Sequence, residues 1–135
     1  MQKRKGFTLT EIIVALGVII ALASGATAVT SHLFALNKHS AAMSGAATIA
    51  VAVSQYMTEM EAYPENLTAL TSKSGSKGPW LSGSALLDPW NQTYEYRKDE
   101  AAGKFAVWSK GPNKTNNSTL NANKCAGDDI GVYSR

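Results

Sequence analysis

The feature that most limits how this chain can fold is a long uncharged stretch near its start. From Ile12 to Asn37 the sequence contains no Asp, Glu, Lys or Arg, and a basic cluster, Lys3–Lys5, stands before it. Nine of the 13 basic and seven of the ten acidic residues lie after Pro64. The two parts of the chain are therefore suited to different surroundings, which argues against a uniform soluble globule.

The uncharged stretch is long enough to cross a bilayer. A helix over residues 7–29 would be roughly 34 Å long, against a hydrocarbon core of about 30 Å. The basic cluster predicts that the start of the chain stays in the cytoplasm. A cleaved secretory signal or a plain signal anchor would have the same profile. Neither explains Glu11, because a carboxylate inside an apolar segment costs a few kcal/mol in lipid and so indicates a function or a partner.

The segment around that carboxylate, Gly6-Phe7-Thr8-Leu9-Thr10-Glu11, resembles the processing site of type IV pilins and type II secretion pseudopilins. The resemblance implies that a prepilin peptidase cuts between Gly6 and Phe7, and that the new amine of Phe7 is N-methylated. It also implies that Glu11 guides the docking of subunits during assembly. Because Phe7 and Glu11 are one helical turn apart, the amine and the carboxylate can pair with each other or with a neighbouring subunit.

Residues 7–62 are predicted to form one continuous helix, since the first proline is Pro64. This helix would be about 84 Å long, more than a small domain can cover, so its first half is expected to project from the head. The small residues along it, Gly45 among them, permit close packing of helices in a filament core. A set of residues in its second half roughly follows helical spacing: Leu33, Leu36, Met43, Ala47, Ala50, Val51, Ser54, Met57, and Met60 or Glu61.

The rest of the chain, residues 63–135, is predicted to form a small globular head. The fold class is α+β: a long N-terminal helix, membrane-spanning in its first half, packed on a small antiparallel β-sheet. The elements expected in the head are a helical turn near 67–70, an antiparallel hairpin of Thr93–Arg97 with Lys104–Ser109, and a last strand at Ile130–Tyr133.

The head sequence resembles that of the major pseudopilin branch of the type IV pilin superfamily, which acts in type II secretion. The segments that carry this resemblance are Tyr63-Pro64, Asp88–Tyr96, Gly103–Gly111 and Gly127–Ile130. It implies a structural subunit, not an enzyme, that forms a homopolymer with the help of an inner-membrane assembly platform and minor pseudopilins. It further implies a single-pass protein of the bacterial inner membrane with its head in the periplasm, incorporated into a periplasmic filament.

The resemblance also implies a calcium ion in the C-terminal loop. The candidate ligands are Asp128 and Asp129, with Asn113 and the backbone carbonyl of Lys110. Calcium takes six to eight oxygen ligands, so two carboxylates need neutral oxygens beside them. Asn113 stands where the family usually has an aspartate, and the missing charge predicts weaker binding. The alternative is that Asp128 and Asp129 form a solvated turn.

Composition excludes several other classes of function. Without Lys3–Lys5 the chain has ten basic and ten acidic residues, too balanced for a nucleic-acid surface. Cys125 is the only cysteine, so no disulfide can close within the chain. The sequence has no Ser/His/Asp set, phosphate-binding glycine loop or Cys/His cluster.

Two alternatives to a pseudopilin stay open: a type IV pilin of a cell-surface fibre, and a membrane-anchored binding module or small enzyme.

Overall fold

The computed structural model describes residues 6–122 and 124–134, without the side chains of 25–29, 31 and 122. Of the expected leader, residues 1–6, only Gly6 lies within this description. The chain divides into two compact units, Met1–Leu36 and Asn37–Arg135. The regular elements are helix α1 (Leu9–Met60), strands β1 (Glu95–Asp99), β2 (Lys104–Ser109) and β3 (Ile130–Tyr133), and short 3-10 helices at Leu67–Thr71, Gly83–Leu86 and Leu120–Ala122.

Helix α1 begins and ends two residues inside the expected 7–62, and local chemistry explains both ends. Thr8 precedes the helix, and its hydroxyl accepts a hydrogen bond from the backbone N–H of Glu11 at 3.3 Å. Such a cap satisfies one of the donors that a helix start leaves free. At the other end Glu61 has a φ of 54°, a left-handed conformation that stops the helix before Pro64.

In the N-terminal unit, the described side chains of α1 from Leu9 to Ser24 are all exposed. Among the residues that the structure describes in full, which leaves out 25–29 and 31, no helix is long and apolar enough to cross a membrane. The membrane span expected over 7–29 falls partly on the omitted side chains and stays a prediction.

In the C-terminal unit, α1 contributes one wall of the core. Ala42, Ala46, Ile49 and Val53 are buried, with the spacing of three and four residues that one helix face requires. Met43 and Val51, which also follow the helical spacing of the sequence, lie off this buried face and are 44% and 58% exposed. The head side of the same core consists of Leu67, Leu70, Leu81, Tyr94, Phe105 and Val107.

The sheet is antiparallel in the order β1-β2-β3, as the predicted fold class requires. The central strand β2 is buried from Phe105 to Ser109. Gly131 on β3 faces Trp108 so closely that an added Cβ would lie 2.2 Å from the carbonyl oxygen of Val107. Trp108 is fully buried and stacks on Tyr133, with ring centroids 6.1 Å apart. Close packing at Gly131 therefore lets a thin sheet cover a large aromatic side chain.

Aromatic contacts join α1 to the head. The ring of Tyr56 meets that of Trp80 edge-on at 4.7 Å. The hydroxyl of Tyr94 donates to the carbonyl of Ala42 at 3.0 Å, and a Cβ at Gly45 would lie 2.2 Å from that hydroxyl. In this chain Gly45 therefore gives room to the head's own Tyr94, rather than to a neighbouring helix as the sequence suggested.

Candidate functional site

The expected cleavage site lies in the irregular segment before α1. Gly6 and Phe7 are both exposed, and the Phe7 side chain is 83% exposed. A Cβ added at Gly6 would meet nothing within 4 Å. Packing within the described chain therefore does not require glycine at this position.

Glu11 lies in the first turn of α1 and completes its cap. Its Oε2 atom accepts hydrogen bonds from the backbone N–H of Thr8 at 3.0 Å and from the Thr8 hydroxyl at 3.1 Å. With the return bond from Glu11 N–H to Thr8, this is a capping box. Sequence reasoning overlooked it, although Thr-x-x-Glu is its usual signature. No hydrogen bond to Oε1 is present within the described residues, so that oxygen can accept from a cation.

The C-terminal loop brings the two aspartates predicted as calcium ligands near two asparagines. The carboxylate of Asp128 accepts from the backbone N–H of Asn113 at 3.0 Å and also from the Asn113 side-chain amide. The side-chain amide of Asn117 donates to Asp128 at 3.4 Å, while its backbone N–H donates to Asp129 at 2.8 Å. Both carboxylates therefore face Asn117.

Asp129 carries the least satisfied polar atom of this loop. The residue is 6% exposed, and its Oδ1 has no hydrogen-bond partner within the described chain. The residue also lines an open groove of about 870 Å³ together with Cys125 and Tyr133. A buried carboxylate oxygen without a donor is costly, and a bound cation would remove that cost.

Two glycines let the loop close on itself. Gly111 and Gly127 have φ of 67° and 63°, a region that other residues rarely adopt. A Cβ at Gly111 would lie 2.2 Å from the carbonyl oxygen of Asp128, and one at Gly127 would lie 2.9 Å from the Asn117 amide nitrogen. Lys110, expected to offer its carbonyl, directly precedes Gly111, and its ammonium group pairs with Glu95 at 2.7 Å.

The described part of the loop supplies two carboxylates that could bind a hard cation such as calcium, but not a complete set of ligands. The described residues contain no group of three or more His, Cys, Asp and Glu side chains that could hold a metal ion. Asp128 and Asp129 would therefore need neutral oxygens to complete a calcium site. The side-chain oxygen of Asn113 accepts from the backbone N–H of Thr115 at 2.6 Å, so this residue presents donors to Asp128 instead of an oxygen.

Cys125 lies beside this loop in a half-buried position. Burial is the main cause that raises the pKa of its thiol, and the nearby charge of Asp129 adds to the effect. The thiol therefore stays protonated at neutral pH, which does not favour a thiolate ligand.

The Asp-Pro-Trp segment that carried the sequence resemblance has a structural role. Asp88 is buried, and its Oδ1 accepts from the backbone N–H groups of Trp90 and Gln92 at 2.9 and 2.8 Å. Its Oδ2 accepts from the hydroxyl of Ser109 at 2.5 Å. Asp88 thereby ties this turn to the end of β2, close to where the C-terminal loop begins.

Two family models match this chain. A family model described as "Type II secretion system (T2SS), protein G" matches residues 34–126, and one described as "Prokaryotic N-terminal methylation motif" matches residues 1–27. The second match contains Gly6, Phe7 and Glu11, whereas the first ends before Asp128 and Asp129. Neither the curated proteins nor the solved structures yield a significant match.

Proposed function

The chain belongs to the family of type II secretion system protein G, and we propose that it polymerises from the inner membrane into a periplasmic pseudopilus. The family is one of structural pseudopilins, and the N-terminal methylation motif is that of type IV pilin-like proteins. The proposal includes cleavage between Gly6 and Phe7 by a prepilin peptidase, N-methylation of Phe7, and single-pass insertion over residues 7–29 with the head in the periplasm. An assembly platform and minor pseudopilins would be its partners.

The observation that carries this proposal is the row of exposed apolar side chains along the first part of α1. Ile20 and Leu22, for example, are 68% and 71% exposed. Burying a side chain of this kind stabilises by about 1.5–3 kcal/mol, so the segment favours lipid or the helices of other subunits over water. A homopolymer supplies such helices, because each copy brings the same apolar surface.

Glu11 supports the same proposal through its free oxygen. Oε2 caps the helix, and Oε1 can accept the amine that cleavage would create on Phe7. A pair between an amine and a carboxylate is stable in an apolar core only when both charges are satisfied. Pairing within or between subunits would therefore favour correctly docked copies.

The function is tested by deleting the gene and restoring it at native expression. We expect loss of protein secretion on deletion, recovery with the intact chain, and a filament confined to the periplasm. Unchanged secretion after deletion would contradict the role in secretion. A surface fibre at native expression, seen by microscopy, would instead support a type IV pilin.

We also propose that Asp128 and Asp129 hold a calcium ion in the C-terminal loop, with neutral oxygens such as the Lys110 carbonyl completing its shell. The support is the buried Oδ1 of Asp129, which has no hydrogen-bond partner among the described residues, and the shared position of both carboxylates at Asn117. When bound, the ion would cross-link the two ends of the loop. The lone Cys125 cannot provide such a link within the chain.

A further inference from the structure

Within the described residues the carboxylate of Asp128 accepts three hydrogen bonds, two from Asn113 and a longer one from the side-chain amide of Asn117. Its Oδ2 accepts from the backbone N–H of Asn113 at 3.0 Å, and its Oδ1 accepts from the side-chain amide of Asn113. The two residues are 15 positions apart, so these bonds join opposite ends of the loop. Hydrogen bonds to an ionised carboxylate are stronger than those between neutral groups.

The orientation of the Asn113 amide follows from its other contacts. Its oxygen accepts from the backbone N–H of Thr115 at 2.6 Å, and the Thr115 hydroxyl donates to the backbone carbonyl of Asn113 at 3.3 Å. The amide oxygen is therefore directed into a local turn, and the amide nitrogen faces Asp128. The side-chain amide of Asn113 can make both contacts at once, because its nitrogen donates to Asp128 and its oxygen accepts from Thr115.

We propose that Asn113 is a positioning residue that holds the C-terminal loop closed on Asp128 without a cation, and that an aspartate at 113 would make closure depend on a divalent cation. The second half rests on the calcium site proposed above. We call the contact between Asn113 and Asp128 the amide clamp.

An aspartate at 113 would invert the electrostatics of the amide clamp. Its carboxylate could not donate to Asp128, and two like charges would face each other across the loop. A divalent cation between them would turn that repulsion into shared attraction. We therefore expect Asn113→Asp to weaken loop closure in chelator, and calcium to restore it.

The experiment measures melting temperatures of the full-length chain in detergent, in chelator and in millimolar calcium. The variants are Asn113→Asp, the exchange Asn113→Asp with Asp128→Asn, and the control Asn121→Asp. Asn121 is exposed in the same loop, so the control adds the same charge away from the clamp. The exchange keeps one amide and one carboxylate but reverses their places.

In chelator we expect Asn113→Asp to lower the melting temperature by several degrees relative to Asn121→Asp, and the exchange to recover most of that loss. Calcium should then raise the melting temperature of Asn113→Asp more than that of the unchanged chain. A general loss of packing would not be repaired by the exchange.

Equal melting temperatures of Asn113→Asp and Asn121→Asp in chelator, or no recovery in the exchange, would overturn the amide clamp. A loss in chelator without any calcium response in Asn113→Asp would support the clamp and overturn the dependence on a cation. Failure of the calcium site itself is recognised separately, by the absence of a calcium response in the unchanged chain.

Discussion

Glu11 combines two roles in one carboxylate. One oxygen accepts both hydrogen bonds from Thr8, and the other accepts none from the described residues. Removing the side chain would therefore remove a helix cap and a charge together. Glutamine separates the two, because it can still accept from Thr8 in a capping box but carries no charge.

We predict that Glu11→Ala and Glu11→Gln are both inserted and processed but enter filaments poorly. An amine left unpaired in an apolar filament core would cost on the order of 3–5 kcal/mol per subunit. The measurement is the amount of subunit in sheared filaments relative to the membrane pool. Normal filament yield from Glu11→Gln would contradict the role of the charge and leave only the cap.

At the scale of elements, the C-terminal loop is where a cation is expected to act. We predict that calcium raises the melting temperature of the chain by several degrees. A ligand at a hundredfold excess over its Kd adds about 2.7 kcal/mol. Replacing Asp128 and Asp129 by Ala should abolish the shift, while magnesium serves as a control for ionic strength. Equal melting temperatures in calcium and in chelator would contradict the proposed calcium site.

The contact between α1 and the sheet gives a second test at this scale. Tyr94 donates to Ala42, whereas the buried hydroxyl of Tyr96 has no partner within the described chain. We predict that Tyr94→Phe lowers the free energy of unfolding by about 1 kcal/mol and that the matched Tyr96→Phe changes it little. Chemical denaturation measures both. A larger loss in Tyr96→Phe would contradict the hydrogen-bond assignment.

The same tyrosine predicts a pH dependence. Burial, with a smaller effect from the charge of Asp88, raises the pKa of Tyr94 from its ordinary value of 10.0 to about 12. The folded state therefore favours the neutral phenol, and its contribution to stability is lost as pH rises from 10 towards 12. Tyr94→Phe should lose less stability than the unchanged chain over this range.

Elements with a local signal could be predicted from the sequence. The lack of proline before Pro64 predicted one long helix, and alternation predicted the strands, although β1 begins at Glu95 instead of Thr93. The buried face of α1 could not be predicted, because small and apolar residues surround the helix on all sides and the head selects among them. The contact of Asn113 with Asp128 depends on the path of the whole loop, so spacing alone does not indicate it.

At the scale of the whole molecule, the chain joins a unit with exposed apolar side chains to a unit with its own core. The core around Ile49 and Val107 can stabilise the head, but the described side chains from Leu9 to Ser24 have no comparable cover. The proposed order of membrane insertion and filament assembly follows from this difference. Lipid would cover the apolar side chains of the first unit before assembly, and other subunits would cover them afterwards.

The most direct test is the mass and N-terminal sequence of the subunit purified from the membrane. We predict a chain that begins at Phe7, lacks MQKRKG and carries one added methyl group. Gly6→Leu should keep the leader, while Gly17→Leu, an equally uncrowded glycine inside α1, should still be cut. A mature chain that begins at Met1, or after Ala23 or Ala28 as a secretory signal would leave it, would contradict the assignment as a processed pseudopilin.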